Sequence, residues 1–122
     1  GDLEEKNLGS ARMFHVPGNW NHFCSDYILH ANVTPLSPER TQLTTKWLVH
    51  EDAIEGWDYD IEHLTRVWQT TNEQDCTLAS NNHLGTQSIG YEPGTYAESE
   101  FMLTDFTNWY AAMMEKYLSE EV

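Results

Sequence analysis

The hydrophobic period changes once along this chain, near residue 57, and that change limits what the chain can fold into. Before it, apolar residues alternate. Tyr27, Leu29, Ala31 and Val33 fall on one side of a stretch whose other side carries Ile28, His30, Asn32 and Thr34. Leu43, Thr45, Trp47 and Val49 repeat the pattern. A period of two is that of a strand with one covered face. After it, Leu64, Trp68, Thr71, Asp75 and Leu78 are spaced four, three, four and three, and Met102, Phe106, Trp109, Met113 and Tyr117 are spaced four, three, four and four. Those are helical stripes.

Turn residues punctuate the first half. Strands are expected over 11–16, 20–24, 27–36 and 41–50, separated by Pro17-Gly18, Ser25-Asp26 and the pair Pro35 and Pro38. Strand, turn, strand in short order predicts an antiparallel meander. The second half predicts two helices. The first starts at Asp58 or Asp60, either of which suits an N-cap, and ends near Asn81. The Trp57-Asp58-Tyr59-Asp60 cluster lacks the spacing and glycine of a calcium loop, so capping is the expected role. A glycine-rich loop over 82–94 follows. Thr95-Tyr96-Ala97-Glu98 then fits a capping box, opening a helix from about Ala97 to Leu118. Residues 1–9 are polar and acidic and read as a loop. The class is α+β: one unit over 1–122, a meander followed by two helices.

Composition removes several functions. Twenty acidic against six basic residues give a net charge of −14, which repels nucleic acid and anionic membranes. Apolar residues at 39% are too many and too periodic for disorder. No run of about 18 apolar residues is present to span a membrane. Cys24 and Cys76 form neither a CxxC nor a disulfide framework and read as reduced thiols of a cytoplasmic protein. No secretory leader, P-loop, GxGxxG or GxSxG occurs.

One residue breaks its own pattern. Asp75 sits in the middle of the first helical stripe, where a covering layer would bury it. A buried carboxylate must be protonated, paired or bound to a metal. Hydrogen bonding to backbone or to a sheet histidine satisfies the first two readings. Asn72, three residues earlier, is placed to orient Asp75 or a ligand. A facial iron site needs two His beside one carboxylate. The six histidines show no HxH or HxxxH pair, and His15 and His22 are the nearest strand candidates.

These residues, with their neighbours, resemble a known family. Trp47-Leu48-Val49-His50-Glu51-Asp52-Ala53-Ile54-Glu55-Gly56 with Asp58-Tyr59-Asp60, then Val67-Trp68 and Thr71-Asn72-Glu73-Gln74-Asp75, then Tyr91-Glu92-Pro93-Gly94, are similar to the α subunit of Rieske non-haem iron oxygenases. Upstream, Met13-Phe14-His15-Val16-Pro17 and Trp20-Asn21-His22 add to it. The nearest branch acts on quaternary ammonium compounds, as choline monooxygenase and glycine betaine demethylase-like enzymes do.

The resemblance implies a partial helix-grip (START/Bet v1-like) domain in which Asp75, within Glu73-Gln74-Asp75, is the third ligand of a mononuclear Fe(II). The family's two His ligands lie in a DxxHxxxxH-type element, and its Rieske [2Fe-2S] cluster in CxH and CxxH elements. Neither occurs here, so the chain reads as the C-terminal portion of an oxygenase catalytic domain. It is expected to be inactive alone, its partners being the rest of the α subunit, a homotrimer and a reductase or ferredoxin. Phe14, His15, Trp20, His22, Trp68 and Asn72 are the expected substrate-pocket residues, with Tyr27 a further ring in reach. Aromatic faces suit a quaternary ammonium, which has no hydrogen to donate. The same motifs serve choline, betaine and carnitine-like substrates, and aromatic substrates stay open. Two other readings stand beside this one: a helix-grip small-molecule binding module, and a non-catalytic interaction piece. A partial sheet leaves edges that predict pairing with another copy.

Overall fold

The computed structural model describes residues 9–120. Four strands form one sheet in sequence order: β1 (Ala11–His15), β2 (Asn19–Phe23), β3 (Ile28–Ser37) and β4 (Arg40–Leu48). All neighbours are antiparallel. Helices α1 (Ile61–Thr86) and α2 (Phe101–Glu120) follow. The α+β reading, a meander and then helices as in a helix-grip domain, is borne out. The loop read over 1–9 lies, Gly9 apart, outside the described residues.

Each turn has a local cause. In the β1–β2 hairpin, whose Val16–Pro17 peptide is cis, the Val33 amide donates to the Gly18 carbonyl at 2.7 Å. A Cβ at Gly18 would collide with the Val33 carbonyl oxygen, so this close crossing requires glycine. The β2–β3 turn is closed by the Cys24 amide donating to Tyr27 at 2.9 Å, around the expected Ser25-Asp26. Strand β3 runs through Pro35 to Ser37 with an irregular register there, because proline offers the ladder no N–H. β4 ends at Leu48, two residues before its expected limit, where the His50 carbonyl accepts the Ala53 amide and turns the chain.

Register decides the faces. Phe14, Trp20, Ala31 and Thr45 lie in one cross-strand row, and Arg12, His22, Leu29 and Trp47 in the next, on the same face. Leu29 and Ala31 are the buried apolar residues among those described. The other face is polar: His30 Nδ1 lies 2.8 Å from Asn21 Oδ1, Asn32 donates to Asn19, and Thr34 donates to Asn32 at 2.6 Å.

The chain divides into two compact units after Leu78. In the first, the turn before α1 is tightly closed. Ile54 receives hydrogen bonds from the amides of Trp57 and Asp58, while its own amide donates to the Asp58 carboxylate at 2.9 Å. Gly56 sits at φ +85°, a left-handed conformation that favours glycine. Asp60 is the N-cap of α1: its Oδ1 accepts the His63 amide at 2.7 Å and its carbonyl the Leu64 amide at 2.9 Å. Asp58 therefore closes the preceding turn and does not cap the helix.

Helix α1 outruns its expected end by five residues, because Gly85 falls in a last turn already closed by hydrogen bonds and does not break it. In the second unit, the capping box is shifted from its expected place. Glu100 Oε2 accepts the Ala97 amide at 2.7 Å, so Ala97 and not Thr95 opens the short 3-10 turn Glu98–Glu100 that leads into α2. Along α2, Phe106 stacks with Trp109 and Tyr110 at 5.9 and 6.2 Å, the one-turn neighbours expected of its stripe.

Candidate functional site

Helix α1 meets the apolar face of the sheet over its first three turns. Leu64, Thr65, Trp68, Thr71 and Asn72 are half-buried there. Trp68 is the centre of the contact. Its ring lies 5.4 Å from Trp20 and 5.4 Å from His22, edge to face with the latter at 88°. Trp20 and His22 stack at 6.2 Å. Trp68 Nε1 donates to the Tyr27 hydroxyl at 3.3 Å, and Asn72 Nδ2 donates to Thr45 Oγ1 at 3.0 Å. Two indoles, an imidazole, a phenol and an amide thus gather on one side of the sheet.

The electrostatics of this cluster are set by burial. Both ring nitrogens of His22, and Nε1 of Trp47, are buried without a hydrogen-bond partner among the described residues. Such groups are uncommon in native proteins. The Tyr27 phenol is pushed above its ordinary pKa, first by burial and then by the Cys24 thiol, with the Trp68 N–H pulling the other way.

Of the sequence-predicted residues, the fold brings Trp20, His22, Trp68 and Asn72 together. Phe14 stands in the same row as Trp20 but is 58% exposed. His15 does not join them. It pairs with Asn19, in the row of Asn32 and Thr44, on the opposite face, so His15 and His22 do not converge. In a hairpin the two partners' numbers sum to a constant, and the short Val16–Gly18 turn puts Arg12, not His15, across from His22. Asp75 is also corrected in one respect: it is exposed, as is every residue of α1 from Glu73 onward. The stripe argument assumed a covering layer along the whole helix, and the four strands cover only its first three turns. The direction of Asp75 survives, since seven residues bring it within about 20° of Trp68 around the helix.

Thr45 is a contact the sequence reading missed. So is a separate cleft of about 700 Å³ beyond the sheet's end, where Phe23, Tyr27 and Tyr59 share the lining with Asp26, Asp52 and Asp58. His50 and Asp52 lie 3.7 Å apart at its rim. Alternation had placed His50 within a strand, which hid its turn.

No group of three His, Cys, Asp or Glu side chains among the described residues is placed to hold a metal ion. Of the α1 carboxylates Glu62, Glu73 and Asp75, Asp75 lies nearest in direction to Trp68 around the helix. The donor chemistry fits one hard anionic ligand of an iron site and not the complete set. No described helix is long and apolar enough to cross a membrane.

Residues 2–116 match the model of the ring hydroxylating alpha subunit (catalytic domain) family. The chain belongs to this family. The ring hydroxylating alpha subunit resemblance read from the motifs is thereby borne out. The chain is 45% identical over 122 residues to the glycine betaine monooxygenase oxygenase subunit of Chromohalobacter salexigens, covering 99% of this chain and 27% of that protein. It is 44% identical to the protein of the same name in two strains of Pseudomonas aeruginosa, again covering 99% of this chain and 28% of each relative. The chain therefore spans little more than a quarter of the length of these relatives.

Proposed function

We propose that residues 1–122 form the C-terminal portion of the catalytic domain of a Rieske-type non-haem iron oxygenase, with Asp75 its carboxylate iron ligand. The observation that carries this reading is the place of Asp75. It projects from a helix already seated on the sheet, in nearly the direction of Trp68, one turn past the last half-buried residue, Asn72. An exposed carboxylate there is free to meet ligands from another segment. Two His ligands and the [2Fe-2S] cluster come from outside this chain, as do the electrons, from a reductase or ferredoxin. The working assembly is a homotrimer in the cytoplasm. Ferrous iron, when bound, supplies the activation of dioxygen.

This chain's own part is to bind and orient. The proposed substrate is a small quaternary ammonium compound, hydroxylated and demethylated at a carbon on nitrogen. The names of the relatives support that class, and so do the aromatic residues. The faces of Trp20 and Trp68 suit a cation that offers no hydrogen bond, such contacts contributing about 0.5–2 kcal/mol each. His22 lies beside them with both ring nitrogens buried, and Phe14 is an exposed ring at the margin.

The test is made in the full-length protein. Asp75→Ala is expected to remove mononuclear iron and oxygen-dependent demethylation while leaving the iron–sulfur absorbance intact. Iron retained at the wild-type level, with activity, would sink the assignment. The 700 Å³ cleft favours a second reading, a helix-grip binding module without catalysis. Saturable binding of glycine betaine that survives Asp75→Ala, in a full-length protein lacking oxygenase activity, would put that reading first.

A further inference from the structure

Two side-chain hydrogen bonds fasten α1 to the sheet. Trp68 reaches Tyr27, ahead of β3, at 3.3 Å, and Asn72 reaches Thr45, in β4, at 3.0 Å. They are four residues apart, one turn, on the side of the helix that also carries Asp75. Past Asn72 no residue of α1 is even half-buried. The Asn72–Thr45 bond is thus the last lateral restraint before Asp75, which follows about 4.5 Å further along the axis.

We propose that Thr45 and Asn72 are positioning residues for the Asp75 carboxylate. The proposal rests on the reading of Asp75 as an iron ligand. Without a hydrogen bond beyond Trp68, the following part of the helix can tilt about that contact. Asp75 lies about 10.5 Å along the axis from Trp68, so a tilt of about 5° at Trp68 displaces it by about 1 Å. Metal–ligand distances tolerate about 0.2 Å. A second fixing point one turn along removes that freedom and also fixes rotation about the axis. A directional hydrogen bond does this better than an apolar contact, which can slide. The bond is half-buried, so neither partner regains full hydration if it opens.

The experiment uses the full-length protein, stripped of mononuclear iron and titrated anaerobically with ferrous ion. The ferrous–nitrosyl electron paramagnetic resonance spectrum is recorded at saturation. Thr45→Val keeps the side-chain volume and removes the acceptor. It is expected to weaken ferrous binding by about 10–100-fold, the range for outer-shell partners of metal ligands, and to alter the nitrosyl signal. Thr45→Ser keeps the hydroxyl and is expected to stay within about threefold of wild type.

Asn72→Leu, which lacks the donor, is the companion variant if Thr45→Val does not fold. Its loss should match, and the double variant should be no weaker than the worse single. Wild-type ferrous affinity and an unaltered signal in Thr45→Val or Asn72→Leu would overturn the proposal, even if the unfolding temperature fell, since a purely structural bond would behave that way. Equal losses in Thr45→Ser and Thr45→Val, or losses that add in the double variant, would overturn it too. Asp75→Ala in the same titration separates the two claims. If it keeps its affinity, the ligand reading fails. If it loses affinity while Thr45→Val does not, only the positioning role fails.

Discussion

The two halves of α1 share one helix and one stripe but not one environment. From Ile61 to Asn72 the stripe is half-buried against strands. From Glu73 to Thr86 it is bare, with Leu78 on the stripe 69% exposed. The four-and-three spacing runs on through Asp75 and Leu78 without a change of phase. Periodicity therefore reports which side of a helix is to be covered, and it does not report what covers it or how far the cover extends. Apolar residues left bare at helical spacing are surfaces awaiting a partner layer.

The comparison can be broken most directly by truncating one side chain from each half. Trp68→Ala is expected to destabilise the folded protein by about 2–4 kcal/mol, below the full cost of emptying a core site because the residue is half-buried. Leu78→Ala in this chain is expected to fall within about 0.5 kcal/mol of wild type. Urea unfolding of both variants decides it. Equal losses in a full-length protein would mean that residues outside this chain cover the second half.

A smaller effect tests whether the covered half depends on its start. Asp60→Ala removes the acceptor that holds the His63 amide and is expected to cost about 1 kcal/mol. Hydrogen exchange should quicken over the first turn and leave Glu73–Thr86 unchanged. Quickening in both halves would mean that they melt together.

The smallest effect is at the Tyr27–Trp68 contact. Burial raises the Tyr27 phenol above its usual pKa, so the folded state keeps this proton when the unfolded chain has lost it. The native state then binds more protons, and stability from this group is flat below pH about 10 and falls as pH rises further. Tyr27→Phe is expected to flatten that alkaline decline relative to wild type. The check is thermal unfolding on either side of pH 10.

Much of the fold was legible because each strand carries its own punctuation. The Ser25-Asp26 turn and the Asp60 cap act within a few residues and were read from the chain. The misreadings came where an outcome depends on parity or on a distant partner. His15 and His22 are both strand histidines, but a three-residue turn sets them on opposite faces. Thr45 looks like any strand threonine, and only the path of α1 makes it the acceptor for Asn72. The stripe spacing put Asp75 on the side of Trp68, and the helix keeps it there, whereas its exposure depends on how far the sheet extends.

The closed turn over 54–60 has a consequence of its own. It leads straight into the first residue of α1 with almost no slack, so it acts as a phase setter. Each residue of a helix is rotated by about 100° from the last. One residue inserted between Asp60 and Trp68 would therefore swing Trp68, Asn72 and Asp75 a quarter-turn or more off the sheet together, with every existing side chain kept. The same insertion in the loop after Thr86 would shift none of them. For this helix, the count of residues from the turn matters as much as their identity.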